Sequence, residues 1–91
     1  MLIKYQNEEN KKHWAKLYKD RVETSSSGTI FLDQIKSVSL KKINIGDFYT
    51  TYRLVFDIAS NSDYSVKVSE KNIDLAEKFK SKVVKAREKM M

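Results

Sequence analysis

Between Phe48 and Ala59 the chain alternates with a period of two. Phe48, Thr50, Tyr52, Leu54, Phe56 and Ile58 fall on one side of an extended backbone, and Tyr49, Thr51, Arg53, Val55 and Asp57 on the other. Strand side chains point alternately to opposite faces, whereas a helix groups residues three and four apart. A stretch this long with period two therefore predicts a strand of an antiparallel sheet with one face on the core. The polar run Ser60-Asn61-Ser62-Asp63 follows, and then alternation resumes from Tyr64 to Ser69. The pair predicts a hairpin closed by a four-residue loop.

Upstream, Leu2 to Asn7 reads as a short strand, and the polar run Asn7–Lys12 as a loop. His13 to Glu23 admits two readings. Ala15, Tyr18 and Val22 fall at helical spacing, as do Trp14, Leu17 and Tyr18, whereas Trp14, Tyr18 and Val22 equally suit a strand carrying a bulge. The strand reading is preferred because of what comes next. Thr24-Ser25-Ser26-Ser27-Gly28 is a turn of small polar residues ending in glycine, and Thr29-Ile30-Phe31-Leu32 is β-branched and aromatic. Asp33-Gln34-Ile35 reads as a tight corner, Ser37–Lys41 alternates as a strand, and Asn44-Ile45-Gly46-Asp47 makes a further turn.

After Ser69 the period changes. Ile73, Ala76, Phe79 and Val83 recur at helical intervals, with Leu75, Ala86 and Met90 nearby, which predicts an amphipathic helix of about five turns. Asn72 is placed to act as its N-cap, and Asp74 lies in the first turn, where a negative charge suits the helix dipole. The expected class is α+β. It is an antiparallel sandwich or partly open barrel of about six to seven strands, capped by one C-terminal helix. With 91 residues and no internal repeat, residues 1–91 form one domain.

The string from Gly28 through Ile35 to Lys41 resembles the strand–corner–strand segment of bacterial pleckstrin-homology-like domains. Tyr52–Phe56 and Tyr64–Val68 look like that family's later hairpin, and Asp74–Lys80 like the start of its capping helix. The likeness covers roughly residues 14 to 88. It implies a seven-stranded fold that serves as a binding platform and not as an enzyme. The sequence places about six strands, so a missing one would leave an unpaired edge able to template another chain.

Composition narrows the chemistry further. Apolar residues make up 41% and charged residues 33%, a globular balance, and there is no cysteine for a disulfide or a thiolate. No run approaches the ~18 consecutive apolar residues of a membrane span, and the N-terminal residues lack a signal-peptide pattern, so a cytoplasmic location is expected. Richness in lysine, asparagine and isoleucine points to a low-GC bacterial or phage source. The one histidine, His13, has no cysteine or acidic partner pattern beside it, and Ser25–Ser27 belong to a turn. Asp57 and Asp63 flank the hairpin turn, and the two glycines lie too far apart for a phosphate loop. No catalytic residue, cofactor or metal site is expected.

Three groups of residues remain as candidates for recognition. Tyr49, Thr51, Arg53 and Val55 form a sheet face of mixed character, and tyrosine and arginine favour interface centres. A first basic patch runs through Lys11, Lys12, Lys16, Lys19 and Arg21; Lys12, Lys19 and Arg21 look like the cations with which some pleckstrin-homology domains hold anionic lipid headgroups. A second occupies the helix from Lys78 to Lys89 and includes Lys82 and Lys85. The net charge of +6 fits these patches, though lysine-rich faces also serve solubility alone. The expectation is a non-enzymatic binding or assembly module that works through a protein partner or self-association. The alternative is an electrostatic adaptor for anionic membrane lipid or nucleic acid.

Overall fold

The computed structural model describes residues 1–47, 49–59 and 63–89. The expected turn over residues 60–62 and the expected placing of Phe48 and Met90 lie outside them. The described elements are β1 (Ile3–Gln6), β2 (Trp14–Leu17), β3 (Arg21–Thr24), β4 (Gly28–Phe31), β5 (Ile35–Ile45), β6 (Tyr49–Ile58), β7 (Asp63–Val68) and one helix, α1 (Ile73–Lys89). Short 3-10 turns, Leu32–Gln34 and Glu70–Asn72, precede β5 and α1.

The architecture is α+β: two antiparallel meanders, β1-β2-β3-β4 and β5-β6-β7, followed by the helix. The sheets do not close into a barrel. A single core lies between them and the helix. Tyr5, Leu17, Val22 and Ile30 enter it from the first sheet, Val38, Leu54, Phe56 and Val66 from the second, and Ala76, Phe79 and Val83 from α1.

The segment 13–23 departs from the single bulged strand expected there. It holds two strands, β2 and β3, reversed at Lys19-Asp20, with the Tyr18 amide donating to the Arg21 carbonyl at 2.8 Å. The buried residues are Ala15, Leu17, Val22 and Thr24, so each half keeps period two and the phase restarts across the turn. The helical spacing of Ala15, Tyr18 and Val22 is incidental. Trp14 and Tyr18 stay half-exposed under cations, Lys16 Nζ lying 4.8 Å from the Trp14 ring and Arg21 Cζ 4.4 Å from that of Tyr18.

The serine turn works as a hydrogen-bonded knot. Gly28 has φ +73°, a left-handed conformation that glycine adopts without steric cost. The Ser27 amide donates to Thr24 Oγ1, whose hydroxyl donates to the Gly28 carbonyl. Ser26 Oγ reaches the other sheet and donates to the Ser65 carbonyl at 2.6 Å.

The corner falls at Leu32–Gln34, where the Ile35 amide bonds back to Leu32 and passes the chain into the second sheet. β5 then runs to Ile45, longer than the Ser37–Lys41 strand expected, with a register irregularity between Ile35 and Ser37.

Helix α1 lays Ala76, Phe79 and Val83 against the core and packs on β1 and β5. Asn72 is not its N-cap. It belongs to the preceding 3-10 turn and is almost wholly buried. Its Oδ1 accepts from the Glu8 amide at 2.9 Å and from Ser69 Oγ at 2.6 Å. The side chain therefore ties the loop after β1 to the start of the helix. Asn7 organises the same loop by accepting the Glu9 and Asn10 amides on its Oδ1.

Candidate interaction surfaces

The register of β5 on β6 decides which side chains share the outer face of the second sheet. Val38 and Leu40 oppose Phe56 and Leu54 on the core side, so Ser39, Lys41, Ile43 and Ile45 face outward with Val55, Arg53, Thr51 and Tyr49. The sequence-predicted face residues are thus on one side, but not equally accessible. Tyr49 is 53% exposed, Thr51 and Arg53 are half-buried, and Val55 is 7% exposed. Arg53 donates through Nη1 to Ser65 Oγ at 2.9 Å, and Ser65 is the partner of Val55 on β7. The guanidinium is thereby drawn onto the row that Val55 occupies.

The more accessible apolar residues of this face are Ile43 and Ile45, at 37% and 56% exposure. The sequence reading ended the strand at Lys41 and missed them. The signal lay in the continued period of two: Val38 and Leu40 are even-numbered and inward, Ile43 and Ile45 odd-numbered and outward.

β7 pairs with β6 only as far as Tyr52, opposite Val68. Past that point β5 and β6 continue alone as a two-stranded arm, Ile43–Ile45 against Tyr49–Thr51. On its other face Thr50 Oγ1 and Asn44 Oδ1 bond across the strands at 3.1 Å. Beside the arm the unpaired edge of β6 opens on a groove of about 220 Å³, whose far wall is Asn7, Glu9 and Asn10. An isolated two-stranded ribbon is marginal in water, and an open edge can accept another strand.

The candidate cations separate. Lys12 lies in the loop before β2 and Lys19 in the turn after it, about 20 Å apart along extended chain. Arg21 is engaged: its guanidinium bonds Asp20 at 2.8 Å and Glu23 at 3.0 Å. These hydrogen bonds, Glu23's first and Asp20's second, raise its pKa above the ordinary guanidinium value. Lys12, Lys19 and Arg21 therefore do not form one headgroup cradle.

Lys19 instead lines a groove of about 540 Å³ together with Lys82, Lys85 and Lys89 of α1, and Leu2, Leu17 and Ala86 supply its apolar lining. In the sequence these cations fall in two patches; the packing of α1 beside the β2–β3 turn brings Lys19 to the helix lysines.

His13 is half-buried in the β1–β2 loop, where its backbone bonds Asn10 and Asn7. No cluster of three His, Asp or Glu side chains among the described residues is placed to hold a metal ion. No helix among them is long and apolar enough to cross a membrane. No protein-family model matches the chain, and no curated protein or solved structure is significantly similar to it.

Proposed function

We propose that the chain is a non-enzymatic binding and assembly module of pleckstrin-homology-like architecture, acting in the cytoplasm through protein–protein association or self-association. The architectural part of this reading draws support from a four-stranded meander, a three-stranded meander and a helix in that order. The segment 13–23 divides into two strands, and the seven strands among the described residues equal in number those that the resemblance implies.

The observation that carries the functional part is the arm. Ile43, Ile45 and Tyr49 stand exposed together on a ribbon that β7 does not support. A partner covering that face removes apolar surface from water and also stiffens the ribbon. The electrostatic adaptor has weaker support: Arg21 is paired, Lys12 stands apart, and the cations that converge do so in a groove and not on an open face.

Ile45→Lys tests the proposal. The position is exposed, so the fold is expected to tolerate the change. Sedimentation of the purified chain, and capture from nuclease-treated lysate at moderate salt, are expected to show association in the wild type. Ile45→Lys should weaken it at least about tenfold, since burying one such side chain contributes about 1.5–3 kcal/mol. Association unchanged in both Ile45→Lys and Tyr49→Ala, or absent from the wild type altogether, would remove the arm as the docking element.

A further inference from the structure

The groove between the β2–β3 turn and the C-terminal half of α1 has a composition unlike the rest of the surface. Its lining holds four lysines, Lys19, Lys82, Lys85 and Lys89, and no carboxylate. Among the described residues no ion pair engages any of the four, and Asp20, next to Lys19 in sequence, is held by Arg21. The acids of this part of α1, Glu77 and Glu88, line an adjoining depression with Lys80 and Ser81, and Lys85 borders both. Like charges gathered without a counter-charge are repulsive, and an anionic occupant relieves that repulsion.

The shape of the groove limits the occupant. Lys82, Lys85 and Lys89 stand at intervals of three and four on α1, a row of about 10 Å, or about three residues of extended chain. Lys19 lines the same groove from the β2–β3 turn. One headgroup cannot span such a row, whereas a linear polyanion can. The apolar lining is aliphatic: Leu17 is 1% exposed, whereas Leu2 is 64% exposed. A flat membrane surface meets Leu2 and the lysines but does not fill a recess of about 540 Å³. A nucleic-acid strand gains from aromatic stacking platforms, and no aromatic residue lines the groove. A peptide supplies carboxylates for the rims and an apolar side chain for the floor in one segment.

We propose that this groove binds an acidic peptide segment that seats one aliphatic side chain between Leu2 and Ala86, with its carboxylates paired to Lys19, Lys82, Lys85 and Lys89. The site is independent of the β5–β6 arm, which lies on the other sheet.

The test uses the full chain and a fluorescein-labelled twelve-residue peptide of aspartate and glutamate with one central leucine, read by anisotropy at low salt. Lys82→Glu/Lys85→Glu should weaken binding at least about tenfold, while Lys41→Glu/Lys42→Glu on β5 at the base of the arm should leave it within about twofold. Replacing the peptide's leucine by serine should cost about tenfold. Amide shifts should concentrate at Leu2, Leu17, Lys19 and Ala86. A thermal melt shows that each variant is folded, and Lys82→Arg/Lys85→Arg, which keeps the charge, should retain binding. Equal loss in the arm variant, or equal affinity of the leucine-free peptide, would reduce the groove to diffuse charge and overturn the proposal. Tighter binding of oligo-dT, or of phosphatidylglycerol–phosphatidylcholine vesicles, than of the peptide would overturn it in favour of that occupant.

Discussion

Tyr5 shows how one side chain can hold two sheets at a fixed distance. Its ring is fully buried in the core, and its hydroxyl donates to the Lys67 carbonyl on β7 at 3.1 Å. Burial pushes the phenol up to about 12 from its ordinary 10.0. Between those values the unfolded chain has released the proton that the folded chain keeps, so stability falls as pH rises. The contribution is complete below pH 10 and lost by pH 12. Tyr5→Phe forfeits about 1 kcal/mol at pH 7 with the hydrogen bond. It also removes this alkaline loss, so urea titrations should show the wild-type advantage falling to zero and then reversing as pH rises through the window. A gap constant from pH 7 to 12 would mean that the hydroxyl is solvated. Asn72 acts on the same scale. Asn72→Ala should destabilise by about 1–3 kcal/mol, because it orphans the Glu8 amide at a buried junction. Hydrogen exchange should then quicken at Glu8. An effect confined to the first turn of α1 would restore Asn72 as a cap.

At the scale of elements, the parts that sequence could reveal were those whose period persisted. β6 and α1 carry their pattern over ten and seventeen residues, long enough to exclude the other period. β2 and β3 hold four residues each, and two short alternations in different phase resemble one helical turn pattern. The reversal between them uses Lys19-Asp20, without the glycine or asparagine that marks most tight hairpins. β5 was read short for a related reason. Its apolar residues change sides after Leu40, and an apolar residue that faces water leaves no burial signal. The arm is legible only when the register gives Ile43 and Ile45 the same face as Tyr49. The lysine groove was hidden differently. Lys19 and Lys82 are distant in sequence, and only the docking of α1 beside the first sheet brings them together.

The whole molecule depends on one core. Phe79 is fully buried within a cluster drawn from both sheets and α1, so no sheet keeps its inner face covered if the helix is lost. Phe79→Ala should cost about 3–5 kcal/mol. A domain of this size is stable by only about 5–10 kcal/mol, so the variant should sit near its unfolding midpoint in mild denaturant. Trp14 reports on the first sheet and far-UV ellipticity on the helix, and the two should lose structure in one coincident transition. Separate transitions would mean that the meanders are stable units of their own.

The position of α1 after all the strands has a consequence for how the protein is made. Within each sheet every strand pairs with its neighbour in sequence, so hairpins can close soon after they leave the ribosome. Yet the side chains that complete the core, Phe79 and Val83, are translated after the last strand. During synthesis the chain therefore passes through an interval in which both sheets display their apolar faces. Translation speed over the last few turns of the helix, or a chaperone that holds sheet surfaces, governs how long that interval lasts.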